Sequence, residues 1–567
     1  MNSENLIMAQ LFLPLAGAAL CYLSKLMKKN MYQRFFEGFA GFLGLFVPLV
    51  FLKWLYPAVI KGPIQFYAGN QNSVIGIELR FDGMSWLLNG MGLISASLAW
   101  LYSRTAGPKT PEFSALFLIQ TFALTATAAS ADLFNLFVCF EILGIASYAL
   151  IAFSGKGRAY MAAFSYMAVS STAMAVFLLG VFGIYRITGS LSYSGIAQYI
   201  VLVNSETQIV GIGLSLVCIV VATAVRVAIL PVYGWLPEAH ASAPHAVSAV
   251  LSGVLIKVPL FALGRFLFLL MSEVSRIDIV FKEILDVLQF SGTLTALVAV
   301  ILALSQREAK RLLAYHSISQ IGYVVSAWAV ASPVAIAAAW MHAFYHALFK
   351  GLLFLSVGSV TDAAGSKDVY LVRGAYKTGL IPTASFFIGA LSISAVPPFN
   401  GFASKAAISY LHKGSREYIV LSLVSIGTIA SMIKLSRIFW PIITKGKADP
   451  SPADPAYIKG FWLKVSLLLY SIACVLTGIF APHIGALVGS LIAAGQNPVP
   501  KNLYSLDTLL GPLFLLTQGA VLYLVLSSPL GKGLTHRIEG RRPSFAGLLF
   551  AFSLSLGMLG SLVLLRH

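Results

Sequence analysis

The sequence predicts an all-α polytopic membrane protein that contains two inverted five-helix repeats. Three observations carry that prediction. Of 567 residues, 58% are hydrophobic and only 11% charged, against about 25% charged in soluble domains, and the mean hydropathy is +0.84. Apolar segments of about 20 residues, long enough to cross a bilayer, recur along the whole chain. Two of these segments are interrupted by proline, and they lie five segments apart. The composition excludes soluble and disordered chains. The continuous apolar runs exclude an outer-membrane barrel, whose strands alternate apolar and polar residues.

About sixteen spans result from a window of about 19 residues. Residues 1–110 hold the first three. The first, Leu6 to Leu26, has Glu4 in front and basic residues behind, which suits a retained helix rather than a cleaved signal. Between the second and third spans, Gln65–Tyr67 and Val74–Arg80 flank Gly69-Asn70, the pattern of a small external hairpin. Residues 111–275 hold spans four to eight and 276–442 hold nine to thirteen. Residues 443–567 hold the rest, of which the last two follow a polar stretch and read as an appendage. The interruptions are Pro231 and Pro237 in the seventh span and Pro397-Pro398 in the twelfth. Proline breaks the backbone ladder, and a membrane tolerates that only where protein or water satisfies the freed groups. An odd offset places the two copies in opposite orientation, the pattern of inverted transporter repeats with an ion path at the broken helices.

The charge difference, 39 − 21 = +18, is read as topology rather than nucleic-acid binding. Roughly 21 basic residues fall in alternate loops and roughly nine in the others, which predicts both termini outside an inner (cytoplasmic) membrane. The larger set comprises Lys25, Lys28, Lys29, Arg34, Arg104, Lys109, Lys156, Arg158, Arg307, Lys310, Arg311, Lys367, Arg373, Lys377, Lys445, Lys447, Lys459, Lys532, Arg537, Arg541 and Arg542. Cys21, Cys139, Cys218 and Cys474 are dispersed in apolar stretches with no haem or iron–sulfur spacing. The nine histidines form no close triad with acids, and no P-loop is present. No cofactor, metal or independent catalysis is therefore expected of this chain.

An ionisable residue at a helix centre costs about 2.5–3.5 kcal/mol on insertion scales, so each one needs a reason. Glu141 lies in Phe137-Val138-Cys139-Phe140-Glu141-Ile142-Leu143, either as half of a structural ion pair or as a proton-carrying carboxylate. Arg226, about one turn before Pro231, is its natural partner. Lys257 lies between apolar flanks too long for snorkelling. His342, His346 and Lys350 repeat every four residues and form one helix stripe. That stripe serves interhelical hydrogen bonding or a hydrated relay, since imidazole titrates near neutrality. His316 reads equally as a core histidine or a relay member. Lys405 follows the second break, with a side chain suited to proton donation. Asp132 and Glu238 lie near span ends, where solvation or capping is the reading.

Five motifs then resemble one family in order: Asp132-Leu133-Phe134-Asn135-Leu136-Phe137 running into Glu141 and Ala146-Ser147-Tyr148; Trp235-Leu236-Pro237-Glu238-Ala239-His240 followed by Val247-Ser248-Ala249 and Lys257; Leu313-Ala314-Tyr315-His316-Ser317-Ile318-Ser319-Gln320; His346-Ala347-Leu348-Phe349-Lys350; and Pro397-Pro398-Phe399-Asn400-Gly401-Phe402 with Lys405. The chain resembles the antiporter-like subunits: the D subunits of Mrp cation/proton antiporters, the large membrane subunits of complex I, and membrane subunits of membrane-bound hydrogenases and formate hydrogenlyases. The resemblance covers roughly residues 80–440. The Val247-to-Lys257 spacing looks more like the Mrp D and hydrogenase types than the largest complex I subunit. That complex I member also carries a long lateral helix, for which the connection 529–544 is too short.

The resemblance implies a fourteen-helix core, with the last two spans as additions. It makes Glu141 the pairing glutamate, Lys257 the bridging lysine, His346 and Lys350 the central relay, and Lys405 the terminal lysine. Where the family usually has a lysine nine residues before the Trp of Trp-Leu-Pro, this chain has Arg226, which holds the ion pair but effectively never deprotonates. The function implied is translocation of protons, or of cations such as Na⁺ against protons, within a multisubunit complex. Its partners would be other membrane subunits, further antiporter-like subunits and a peripheral iron–sulfur or hydrogenase arm. A proton-silent scaffold and a stand-alone secondary transporter are the alternatives.

Overall fold

The computed structural model describes residues 2–27, 31–68, 76–203, 205–271, 278–441, 456–539 and 544–565. Expectations for Lys28, Lys29, Gly69-Asn70, Val74, Lys445, Lys447, Arg541 and Arg542 fall outside those residues. The described residues form a bundle of α-helices with one small hairpin, β1 (Ile64–Ala68) paired antiparallel with β2 (Ile77–Phe81), Ile64 opposite Phe81. The hairpin joins α2 (Met31–Lys61) to α3 (Gly83–Ala106) and marks one end of the bundle, here the hairpin end. The described residues of the basic loops, among them Arg104, Arg158, Arg307 and Lys367, gather at the other end, the basic end.

In chain order, α1 (Ser3–Leu23), α2 and α3 are followed by α4 (Pro111–Ala129), α5 (Leu133–Ala152), α6 (Gly157–Thr188), a short α7 (Tyr193–Ile200) and α8 (Glu206–Val227). After α9 (Leu236–Ser242), α10 (His245–Val250) and α11 (Val258–Met271) come α12 (Asp278–Ser305), α13 (Ala309–Trp328), α14 (Pro333–Ala364), α15 (Leu380–Ile393), α16 (Asn400–Leu411), α17 (Arg416–Ser436), α18 (Phe461–Ile479) and α19 (Ala481–Ile492). The chain finishes with α20 (Leu506–Ser527), α21 (Pro529–Ile538) and α22 (Phe545–Leu565). Among the described residues, fourteen helical segments are long and apolar enough to span a membrane. The tenth and twelfth of the sixteen expected spans, α13 and the α15–α16 pair, are not among them. α13 carries Lys310, Arg311, His316, three serines and Gln320, and all 20 of its residues are buried. A helix enclosed by protein on every side does not need an apolar surface. α14 is the axis of the bundle: 94% of its most apolar window is buried.

Both expected helix breaks are present and have the same backbone. α8 ends at Val227, and Ala228 turns left-handed with φ 58°; α15 ends at Ile393, and Ala395 has φ 58°. In the first break, the Ala228, Ile229 and Val232 amides donate to Val225, Ala224 and Ile229 carbonyls. In the second, the Ala395, Val396 and Phe399 amides donate to Ser392, Leu391 and Val396. Each bond in the second set lies 167 residues after its counterpart. The freed groups are satisfied by protein: the Leu230 amide donates to Thr295 Oγ1 at 2.9 Å and the Trp235 indole to Val225 O at 2.8 Å. A third irregularity is not signalled by the proline pattern before it. A wide, π-type turn over Leu251–Leu255 separates α10 from α11.

The C-terminal helices cross from one half of the bundle to the other. α20 packs on α17, α21 lies against α12, and α22 reaches α8 and α6.

Candidate functional site

Glu141, on the middle of α5, accepts from Arg226 Nη2 of α8 at 3.0 Å. Arg226 is only 1% exposed, while the Glu141 side chain is 30% exposed. The guanidinium is held from three sides. Nε donates to Met174 Sδ at 3.2 Å, and the Phe140 ring lies 5.3 Å beneath. Gly144 leaves the space on the third: a Cβ there would lie 2.7 Å from the Tyr148 hydroxyl and 3.4 Å from Arg226 Nη1. A planar cation so enclosed keeps one geometry, and the charge-assisted bond to Glu141 balances its burial. The exposed flank of α5 reads Phe134, Val138, Glu141, Ile145, so the carboxylate sits in an otherwise apolar stripe.

Lys257 follows the wide turn and its Nζ donates to Ser252 O at 2.7 Å and to Gly253 O. The Ser252 hydroxyl meets Ser317 Oγ of α13 at 2.6 Å, next to His316. Lys350 donates to Leu313 O, one turn before His316, and its Nζ stands 4.9 Å from the Phe354 ring centre. Lys405 reaches back over the second break to the last carbonyl of α15, Ile393 O, at 3.0 Å, with Nζ 5.0 Å from the Tyr323 ring. The carbonyl end of a helix is its negative pole, so a cation there is favoured. His342 Nδ1 meets Ser404 Oγ, beside Lys405, at 2.9 Å. The His342 and His346 rings are 6.4 Å apart. His316, His342, His346, Lys257 and Lys350 are all fully buried. Both ring nitrogens of His316 and His346, and Nε2 of His342, have no hydrogen-bond partner among the described residues.

The eight residues thus fall into two groups. Glu141 and Arg226 form a pair at the α5 flank. Lys257, His316, His342, His346, Lys350 and Lys405 line the shared interior of α10–α11, α13, α14 and α16.

Several further ionisable residues lie outside the candidate set, and two of them, Arg265 and Lys434, escape the sequence reading. Lys310 Nζ donates to Ala243 O at 2.6 Å, and Lys434 Nζ to Leu304 O and Gln306 O at 2.8 and 2.7 Å, each again at a helix's carbonyl end. His240 is buried with its ring 5.1 Å from that of Phe354. Arg265 of α11 fastens the hairpin end, donating to Ser85 Oγ at 2.6 Å, Ala128 O at 3.1 Å and Ser130 O, with Asp82 at 3.6 Å. Burial would raise the Asp82 carboxyl, but Arg265, the Ser85 amide and Arg80 outweigh it and hold the group below its usual range. Asp132 caps α5, accepting from the Asn135 amide at 2.8 Å, as expected. Glu238 does more than face solvent: it pairs with Arg158 at 3.0 Å and with Arg311, tying α9 to α6 and α13. Arg158 also binds Glu308 at 2.8 Å. Among the described residues, no cluster of three or more His, Cys, Asp or Glu side chains could hold a metal ion.

Residues 130–433 match the family described as NADH:quinone oxidoreductase/Mrp antiporter, TM. The chain belongs to this family. All eight residues of the candidate site lie inside the matched segment. The N subunit of NADH-quinone oxidoreductase from Desulforudis audaxviator is 31% identical over 449 residues, 76% of this chain and 87% of that protein. The D subunit of the Na⁺/H⁺ antiporter from Alkalihalophilus pseudofirmus is 30% identical over 439 residues, 76% of this chain and 86% of the relative. Among solved structures, a chain of the membrane-bound sulfane sulfur reductase, an archaeal respiratory membrane complex, superposes with TM-score 0.75 at 25% identity, covering 90% of this chain and 99% of its own. A chain of the Mrp complex from Dietzia sp. gives TM-score 0.75 at 23% identity, covering 86% and 98%, and shares the fold. This is therefore an antiporter-like membrane subunit with the fold found in multisubunit Mrp and respiratory membrane complexes.

Proposed function

We propose that this antiporter-like subunit translocates protons, alone or in exchange for a cation such as Na⁺, along the buried string from Glu141–Arg226 through Lys257, His316, His342, His346 and Lys350 to Lys405. The observation that carries the reading is the row of three fully buried imidazoles in which five of the six ring nitrogens lack protein partners among the described residues. Buried polar atoms are almost always satisfied, and where protein does not supply the partner, water must. A hydrated line of imidazoles and amines at membrane depth is a route for protons and a poor site for a solute.

In this reading the two halves divide the work. Arg226 keeps its proton and acts electrostatically, drawing Glu141 in or releasing it. Proton exchange belongs to Lys350 and Lys405 and the histidines between them. The matching backbone of the two breaks supports an inverted repeat, spans four to eight against nine to thirteen, with each break opening one half of the route. The carboxylate in the apolar stripe of α5 calls for a cover other than lipid, so this flank meets a neighbouring membrane subunit. The basic end faces the cytoplasm under the positive-inside rule. A redox-driven arm with iron–sulfur centres, or a cation gradient, would supply the charge shift that starts each cycle.

A second reading, a proton-silent scaffold, is favoured by the arginine at position 226. Glu141→Gln separates the two. The substitution keeps the hydrogen bond to Arg226 and removes the charge, so the complex assembles. Loss of coupled proton transport in reconstituted vesicles is the outcome expected for transport, and an unchanged rate would establish the scaffold.

A further inference from the structure

At the hairpin end, α2, α3, α14, α18 and α19 part to leave an apolar crevice of about 590 Å³. Its walls include Trp86, Gly90, Trp340, Phe344 and Val488, and Lys53 stands at its rim. The volume lies within the about 300–1,000 Å³ of ligand pockets. The crevice uses the opposite face of α14 from the relay: Trp340 and Phe344, stacked at 5.3 Å, line it, while His342 and His346 face inward. The polar groups of its lining are few: Lys53, Tyr56, Thr477 and the indoles of Trp86 and Trp340. Trp340 is 3% exposed, and its indole N–H has no partner among the described residues. Lys53 is the only charged residue of α2 between Glu37 and Lys61. The neighbouring Trp86 indole, by contrast, is satisfied by Leu52 O at 2.7 Å.

Depth gives Lys53 and Trp340 a meaning. α2 has 31 residues and α14 has 32; at about 1.5 Å per residue each is about 45–48 Å long. The hydrocarbon core is about 30 Å thick, so each helix end projects by about 8–9 Å when centred. Lys53 lies about 12 Å from the hairpin end of α2, and Trp340 about 10 Å from that of α14. Both therefore sit about 1–4 Å inside the hydrocarbon boundary, within a lysine side chain's reach of the glycerol esters and phosphates, beside the apolar crevice. A lysine at that level extends its amine toward the headgroups.

We propose that the crevice is a binding site for an anionic glycerophospholipid. One acyl chain fills the space between α2, α3, α14 and α19, and Lys53 meets the phosphate. The lipid would then brace the back of the helix that carries His342, His346 and Lys350.

Native mass spectrometry of the detergent-purified complex, titrated with phosphatidylglycerol or phosphatidylcholine of identical acyl chains, tests this. The wild type is expected to retain one phosphatidylglycerol in preference to phosphatidylcholine. Lys53→Gln, at an exposed position, is expected to lower the affinity for phosphatidylglycerol about fivefold, the effect of one lysine near a charged bilayer surface, and to leave phosphatidylcholine unchanged. Gly90→Leu adds a side chain where a Cβ would meet only Leu52 Cδ1 at 3.8 Å, so it fills the crevice without disturbing the helices and is expected to weaken both lipids at least tenfold. Equal retention of the two lipids by the wild type, undiminished retention by Gly90→Leu, or retention by the isolated chain but not by the complex, where a partner would then cover the crevice, would each overturn the proposal.

Discussion

The two halves of the membrane core hold their charges in different ways. In the first, Arg226 is fixed by a carboxylate, a thioether and an aromatic face, and Glu141 opens on the flank of α5. In the second, Lys350 and Lys405 rest on single backbone carbonyls, and the histidines among them leave ring nitrogens unpaired among the described residues. A cation bonded to a carboxylate has little freedom to exchange a proton. An amine on a neutral carbonyl, beside titratable rings, has that freedom. Under the proposed function, the comparison makes one broken helix the seat of a clamp and the other the seat of a relay.

Breaking the relay should have the largest effect. Lys350→Met replaces a fully buried amine with an apolar side chain of similar length. Assembly should survive, because burying an apolar residue in place of a charge is often neutral or stabilising. Proton transport by the reconstituted complex should fall by more than about tenfold, a barrier increase above about 1.4 kcal/mol. His346→Leu should slow transport by about tenfold without changing assembly. Arg226→Lys sharpens the contrast from the other side. It keeps the positive charge opposite Glu141 and adds a proton that can leave, so transport should stay within about threefold of wild type, below about 0.7 kcal/mol. If Arg226→Lys and Lys350→Met had equal effects, the division between clamp and relay would be lost.

Packing changes come lower in the order. Gly144→Ala would push a Cβ to 2.7 Å from the Tyr148 hydroxyl, against the guanidinium of Arg226. Overpacking of this kind costs about 1–3 kcal/mol, to be read from thermal unfolding in detergent. Asp82→Asn should be the smallest. Asparagine caps a helix about as well as aspartate, so only the charge facing Arg265 and Arg80 is removed. The folded state depresses the Asp82 pKa. Its contribution is therefore present above the unfolded value of about 3.9 and is lost as pH falls through the depressed one. The variant should be less stable than wild type at neutral pH by about 1 kcal/mol, the net worth of a hydrogen bond, with the two converging in acid.

Much of the fold and site is legible in sequence because lipid imposes simple rules. Apolar runs locate the spans, and prolines in Ile229-Leu230-Pro231 and Val396-Pro397-Pro398 locate the breaks. The penalty on intramembrane charge picks out Glu141, Arg226, Lys257 and Lys405. What the sequence does not reveal is set by tertiary packing. The wide turn at Leu251–Leu255 precedes Pro259 and has no residue pattern of its own. Lys310 reads as a loop charge, although it is buried against Ala243 O. Arg265 and Lys434 stand in apolar runs, Ala262-Leu263-Gly264-Arg265-Phe266 and Met432-Ile433-Lys434-Leu435. The penalty rule, applied closer to the span ends, finds both. Glu238 reads as a cap or a solvated group because its partners, Arg158 and Arg311, lie 80 and 73 residues away in sequence.

Lys405→Ala tests the central claim most directly. The measurement is proton translocation by the complex reconstituted into vesicles, with assembly checked on the same preparation. The account predicts that the assembled variant no longer moves protons. An assembled Lys405→Ala complex that translocates protons at the wild-type rate would contradict it and remove the second half from the route.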